Sequence, residues 1–189
     1  LPNAAVATPE VPLAADAFAA SMDVNAYAPL RWLRHALPAL RASRGRVLYV
    51  GTPLGVSLGA PGMAPYAMSK AAAVAALRCA AAEERLRDEG DGALACILAV
   101  APGIVHTALM GTYVESLHAA YPGAPGSRAL LRAKERLERE TQSAGRPPVA
   151  IRTPEEVAEP IARAAMRAPP ALSGEFLMFD SAPIRSLSW

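Results

Sequence analysis

Tyr66 and Lys70 stand four residues apart in the stretch PYAMSK, Pro65–Lys70. In a helix that spacing puts both side chains on one face, one turn apart. A phenol with a reference pKa of about 10 carries protons poorly at neutral pH. A close ammonium group stabilises the phenolate and lowers that pKa, so the pair could serve as a general acid or base. The plain alternative is a tyrosine that packs and a lysine that is solvated. Two competing chemistries lie just upstream. GVSLG, Gly55–Gly59, fits the G-x-S-x-G pattern with Ser57 as a hydrolase nucleophile. Gly51, Gly55, Gly59 and Gly62 could instead form a loop that cradles a phosphate.

The elements around these residues decide against the serine and the glycines. A nucleophile elbow follows its strand almost directly and begins a helix right after the serine. Here the apolar run ends at Val50, well before Ser57, and Ala60-Pro61-Gly62 follows the motif. An acid and a histidine do follow in the required order, as Asp88 or Asp91 and then His106, but Ser57 reads more simply as a loop serine. The glycines do not match G-x-G-x-x-G, and no Gly-Lys-Ser/Thr run follows them.

Periodicity supplies the framework. Leu30, Leu33, Leu37 and Leu40 mark one face of a helix over 14–43, bent or divided at Pro29 and Pro38. Arg46–Val50 is a buried strand. An Ala-rich helix runs from about 63 to 89 and stops at Gly90-Asp91-Gly92. Residues 93–100 form a second buried strand that ends at Pro102-Gly103. A short amphipathic piece spans 110–121, a break spans 122–127, and a charged helix spans 128–143, with Glu135 and Arg139 paired along it. Thr153-Pro154-Glu155-Glu156 begins a helix that runs to about Arg167, with Thr153 and Glu156 as a capping box. Residues 175–179 are a third strand. Strands alternating with helices predict one domain built on a parallel sheet with crossover helices.

Composition bounds the partners. Hydrophobic residues make up 52% of the 189, and the formal net charge is +2. The chain can bury a sizeable core, and its small charge argues against a nucleic-acid partner. No apolar run is long enough to span a bilayer. Cys79 and Cys96 read as reduced, buried thiols of a cytoplasmic protein. No metal site is suggested.

At YAMSK, 66–70, the chain resembles the short-chain dehydrogenase/reductase family. VGTPLG at 50–55 stands where that family usually shows V-S-S-x-x-G, and APGIVHT at 101–107 is similar to its Pro-Gly-x-x-x-Thr segment. VNAYA at 24–28 resembles Val-Asn-x-x-Gly, PNAA at 2–5 resembles Asn-Asn-Ala-Gly, and SGEFLMFD at 173–180 resembles the last strand. The resemblance covers nearly the whole chain. It implies an α/β fold, a Rossmann-type doubly wound parallel sheet, and hydride transfer between NAD or NADP and a carbonyl or alcohol. It implies Tyr66 as the acid/base, with Lys70 lowering its pKa and binding the nicotinamide ribose. Asn25 would hold a water linking Lys70 to solvent. Pro102, Gly103, Ile104 and Thr107 would hold the nicotinamide end, and Asn3 would lie near the adenosine ribose. Arg34 falls where a basic residue sometimes approaches the cofactor, though it reads more simply as solvated. Residues 111–148 would cover the substrate, with Met110, Tyr113, Leu117 and Tyr121 either lining a site for a fairly apolar carbonyl compound or packing their helix down. Helices 14–43 and 63–89 resemble the pair that packs across family dimers.

The pattern departs in two places. Gly51-Thr52 stands where the family shows two serines. Thr52 aligns with the catalytic one and keeps a hydroxyl on a stiffer, β-branched side chain. Ser57 is the alternative hydroxyl, because the loop looks one residue longer than usual. The glycine-rich turn after the family's first strand, and the second strand that chooses the cofactor, have no counterpart. The fold expected is therefore the C-terminal part of the Rossmann sheet, a single partial domain over 1–189 with its first strands missing. Two other functions fit the residues: a non-catalytic, oligomerising module without cofactor binding, and a hydrolase using Ser57.

Overall fold

The computed structural model describes residues 5, 15–54, 56–57, 59–87, 95–126, 128, 131–132, 135 and 151–188. Asn3, the stop at Gly90-Asp91-Gly92 and the Arg139 pairing lie outside them.

The chain runs α1 (Ala15–Met22), a π-turn (Asp23–Tyr27), α2 (Ala28–Ala42), β1 (Arg46–Val50), α3 (Ala64–Leu86), β2 (Cys96–Ala101), β3 (Ile104–Val105), α4 (Ala108–Ala120), β4 (Ile151–Arg152), α5 (Pro154–Arg167), β5 (Phe176–Met178) and α6 (Ala182–Arg185). The main sheet has the order β1-β2-β5 and is parallel throughout. Arg46 pairs with Cys96 and Val50 with Val100; Ala99 pairs with Phe176 and Ala101 with Met178. A second parallel pair joins Ile104 to Ile151 and Val105 to Arg152. Two-residue strands carry too little periodicity to be read from sequence, and β3 and β4 were not expected.

Strand β2 is buried at all six residues because both faces of the sheet are covered. Its side chains alternate. Ile97 and Ala99 join Val47, Tyr49, Ala73, Val74, Leu77 and Ala81 under α2 and α3. Cys96, Leu98 and Val100 join Val157, Ala164, Phe179 and Ile184 on the other side. Helices on both faces make this the doubly wound arrangement, here with three strands among the described residues.

Within the expected helix over 14–43 the hydrogen bonding changes at the π-turn, directly before Pro29 in the first turn of α2. Pro38 lies inside α2. The described residues 128, 131, 132 and 135 are helical, in line with the charged helix expected over 128–143, but Pro125 and Gly126, inside the expected break, are helical too. The Thr153 capping box forms as read: Thr153 N donates to Glu156 Oε2 at 2.8 Å and Glu156 N donates to Thr153 Oγ1 at 3.3 Å. One of the two thiols departs from expectation: Cys96 is buried, but Cys79 is exposed, because it lies on the outer face of α3.

One ion pair fastens α2 to α3. Arg41 Nε donates to both carboxylate oxygens of Glu84, at 3.1 and 2.9 Å. Glu84 is 2% exposed, and its bond from Arg41 holds its carboxyl below the usual range. Replacing Arg41 by Met takes the nearest cation from a buried carboxylate, leaving Arg87 Nε 3.8 Å away. We expect the unfolding free energy in urea to fall by about 3 kcal/mol, and by much less in an Arg41→Met, Glu84→Leu double variant.

Candidate active site

The C-terminal ends of β1 and β2 face the N-terminal turns of α3, and the candidate residues gather there. Pro65 occupies the first turn of α3, where its missing N–H has no intrahelical role. Tyr66, Ser69 and Lys70 then follow within one turn. Lys70 is 5% exposed. Its Nζ donates to the carbonyl of Val50, the last residue of β1, at 3.0 Å. It lies 5.9 Å from the centre of the Tyr66 ring and 4.7 Å from that of Tyr49.

Asn25 is fully buried in the π-turn. Its Nδ2 donates to Ser69 Oγ at 3.0 Å, and Ser69 Oγ donates to the Tyr66 carbonyl at 2.8 Å. The Asn25 carbonyl accepts from Tyr49 OH at 2.8 Å. A π-turn re-aims one residue of an otherwise regular helix, and here it points Asn25 at the turn that carries Tyr66 and Lys70. Asn25, Tyr66 and Lys70 are thus brought together. Ser69 and Tyr49 belong to the same network and were not singled out from the sequence. Their signals were present: Ser69 lies inside YAMSK, and a tyrosine on the buried face of a strand needs a partner for its hydroxyl.

Burial governs both titratable groups. It pushes the Lys70 ammonium down from 10.5 to about 8, and it raises the Tyr66 phenol above its ordinary value. The expected lowering of the Tyr66 pKa by Lys70 is not what this geometry gives: the ammonium is turned to the Val50 carbonyl, and desolvation decides. Tyr66 is held protonated at neutral pH.

The loop between β1 and α3 explains the first departure from the family pattern. Gly51 N donates to Val100 O at 2.9 Å and extends the ladder by one bond. A Cβ at Gly51 would lie 2.9 Å from Phe176 Cε2, so a serine there would require the ring from β5 to shift. Thr52, the next hydroxyl, is half-buried, and its Oγ1 accepts from Leu54 N at 3.3 Å. Ser57 sits exposed in a turn with its hydroxyl on Pro53 O at 3.4 Å, and the next helix begins only at Ala64. That is not a nucleophile elbow, and the hydrolase reading ends there.

The turn after β2 places the remaining candidates. Gly103 has φ +77°, which favours glycine. Ile104 is exposed on β3. Thr107 caps α4, accepting from Met110 N at 3.4 Å. Arg34 is exposed on α2. Within α4, Met110, Val114 and Leu117 are buried, so Met110 and Leu117 pack the helix down. Tyr121 is exposed. Tyr113 is half-buried, and its hydroxyl donates to Pro61 O at 3.4 Å, which brings α4 to the loop before Tyr66. Much of 127–148 lies outside the described residues.

The family model for short chain dehydrogenase matches residues 1–117. No curated protein sequence matches the chain. Among solved structures, a short-chain dehydrogenase/reductase from Saccharomyces cerevisiae superposes with a TM-score of 0.78 at 22% identity, covering 99% of this chain and 67% of that one. The KRED1-Pglu enzyme gives 0.70 at 26%, covering 92% and 65%. A protein described as an NAD(P)-dependent gluconate 5-dehydrogenase from Beutenbergia cavernae, solved with NADP at low occupancy, gives 0.64 at 24%, covering 97% and 65%. The chain therefore spans about two thirds of the length of these structures.

Proposed function

The chain belongs to the short chain dehydrogenase family, and on that premise we propose that it is the catalytic part of an NAD- or NADP-dependent oxidoreductase acting on a small carbonyl compound or alcohol. The observation that carries this reading is that Asn25, through Ser69, holds the Tyr66 carbonyl, while Lys70 is fixed on Val50 O with its ammonium 5.9 Å from the centre of the Tyr66 ring, all at the C-terminal ends of parallel strands, where α/β sheets bind their ligands.

The residues fit a nicotinamide nucleotide at this end. Lys70 offers three N–H donors, one of them on Val50 O, so a ribose hydroxyl can be held beside Tyr66. The Pro102-Gly103 turn, with Ile104 and Thr107, lies one strand over and would hold the nicotinamide end. When bound, the cofactor supplies the hydride. Tyr66 is protonated and passes its proton to the substrate oxygen as the arriving hydride makes that oxygen the stronger base, which supports carbonyl reduction. Thr52 fixes that oxygen with its hydroxyl. Tyr113 and the rest of 111–148 cover the substrate. Asn3 would approach the adenosine ribose.

Calorimetric titration of the complete polypeptide with NADH and NADPH tests the reading. Saturable binding of one of them is expected; no saturation by either at millimolar concentration would leave only a non-catalytic module. Thr52 has its own test. Thr52→Val should lower kcat/KM roughly 100-fold, whereas Thr52→Ser should stay within a few-fold of the parent. Loss of activity in Ser57→Ala but not in Thr52→Val would reassign the hydroxyl.

No helix among the described residues is long and apolar enough to cross a membrane. Exposed Tyr27 and Trp32 near α2, and Met68 on α3, support self-association through these helices. Sedimentation of the complete polypeptide should give a multiple of the monomer mass, and a monomer at all concentrations would exclude it.

A further inference from the structure

Tyr49 touches two of the candidate residues from the strand side. In β1, Val47 and Tyr49 point to the face covered by α2 and α3. Tyr49 is 9% exposed. Its hydroxyl is fixed on the Asn25 carbonyl, while Lys70, held on the carbonyl of the very next residue, lies over its ring. The family resemblance implied a water at Asn25 linking Lys70 to solvent. Here a phenol hydroxyl stands on the Asn25 carbonyl.

We infer that Tyr49 is a positioning residue that closes the Lys70 pocket, its hydroxyl occupying one acceptor site of the Asn25 carbonyl and its ring covering the ammonium so that water reaches the lysine less readily from the π-turn. Displacing that hydroxyl by water would break a buried hydrogen bond and leave a polar atom to be satisfied again. A cation over an aromatic face is retained in a desolvated site, so the ring holds the lysine in place without hydrating it. Among the described residues, the titratable groups that face the ammonium are Tyr49 from β1 and Tyr66 from its own helix. The π-turn presents neutral Asn25, and its Asp23 is exposed and lies 3.6 Å from Arg31. Burial is the cause of the lowered Lys70 pKa, and the closed pocket supplies that burial. The pH range in which the lysine stays charged is then set partly by a residue that touches neither substrate nor cofactor. Its bearing on turnover rests on the function proposed above, but closure of the pocket does not.

The test reads Lys70 directly. The complete polypeptide is labelled with carbon-13 at lysine Cε and titrated by NMR, with the Lys70 signal assigned by its loss in Lys70→Arg. Lys134, the other lysine of the 189 residues, serves as an internal reference. Lys70 should titrate near pH 8. In Tyr49→Phe, water gains the Asn25 carbonyl, and the Lys70 midpoint should rise by about one unit or more while Lys134 stays in place. A folded Tyr49→Phe protein with an unmoved Lys70 midpoint overturns the inference, since a merely structural role would lower the melting temperature and leave the titration alone. The unchanged chain gives a second reading: the Tyr49 hydroxyl proton should exchange slowly enough with water to be observed, and exchange at the solvent rate overturns the closure. Neither readout needs turnover, so failure here is distinguishable from failure of the proposed activity.

Discussion

Tyr66→Phe should reduce kcat for carbonyl reduction by about 10³-fold while the protein keeps its fold. The substitution removes one oxygen and leaves a ring of the same size in the first turn of α3. The contacts that set that turn are the Ser69 bond to the Tyr66 carbonyl and the Lys70 bond to Val50 O, and neither uses the phenol hydroxyl. Affinity for the nicotinamide nucleotide should change by only a few-fold, because Lys70 still presents its donors. Single-turnover kinetics with calorimetric binding separates the two. Full activity in Tyr66→Phe would remove Tyr66 from the chemistry.

Lys70→Met should act in opposite directions on activity and stability. Turnover and nucleotide affinity should both collapse, since the ammonium is the only charged donor in the described network. Stability should rise. Lys70 has a folded-state pKa of about 8 against an ordinary 10.5. Between these values the unfolded chain binds more protons, so the wild-type protein gains stability as pH rises through that window. Below pH 8 the cost of keeping the lysine charged is fully present, and it amounts to about 3 kcal/mol, less the hydrogen bond and ring contact that Met also removes. Urea unfolding at neutral pH should therefore show Lys70→Met more stable by roughly 1–3 kcal/mol, with the difference falling by about 3 kcal/mol as the pH rises from 8 to 10.5. A variant less stable than wild type at neutral pH would contradict the burial on which the site is built.

The large elements were legible because each repeats one signal several times. β1 is an apolar run between turn residues, α3 is more than twenty residues of helix former, and Thr153 with Glu156 announces the start of α5 by its own capping chemistry. The π-turn was not legible. A π-turn leaves no periodic signature in five residues, and Pro29 pointed only to a bend. Tyr66, Lys70 and Asn25 were found by pattern; the structure joins Asn25 to the Tyr66 carbonyl through Ser69, a residue in plain view, and brings Lys70 to them by way of Tyr49. Two readings depended on distances that sequence does not hold. A side chain at Gly51 would crowd Phe176, 125 residues later. The Tyr66 pKa rises because the phenol is buried. Tyr49 went unread because a strand residue with a packing role and one with a polar role look the same in one sequence.

Deuterium transfer tests the central claim most directly. The complete polypeptide is incubated with NADH and NADPH deuterated at the reactive nicotinamide carbon and a panel of apolar ketones and aldehydes, and the products are weighed by mass spectrometry. Hydride transfer governed by Tyr66 predicts an alcohol one mass unit heavier, with deuterium on the former carbonyl carbon, and none from Tyr66→Phe. Saturable nucleotide binding with no labelled alcohol from any carbonyl compound, or equal labelling by Tyr66→Phe, would contradict it.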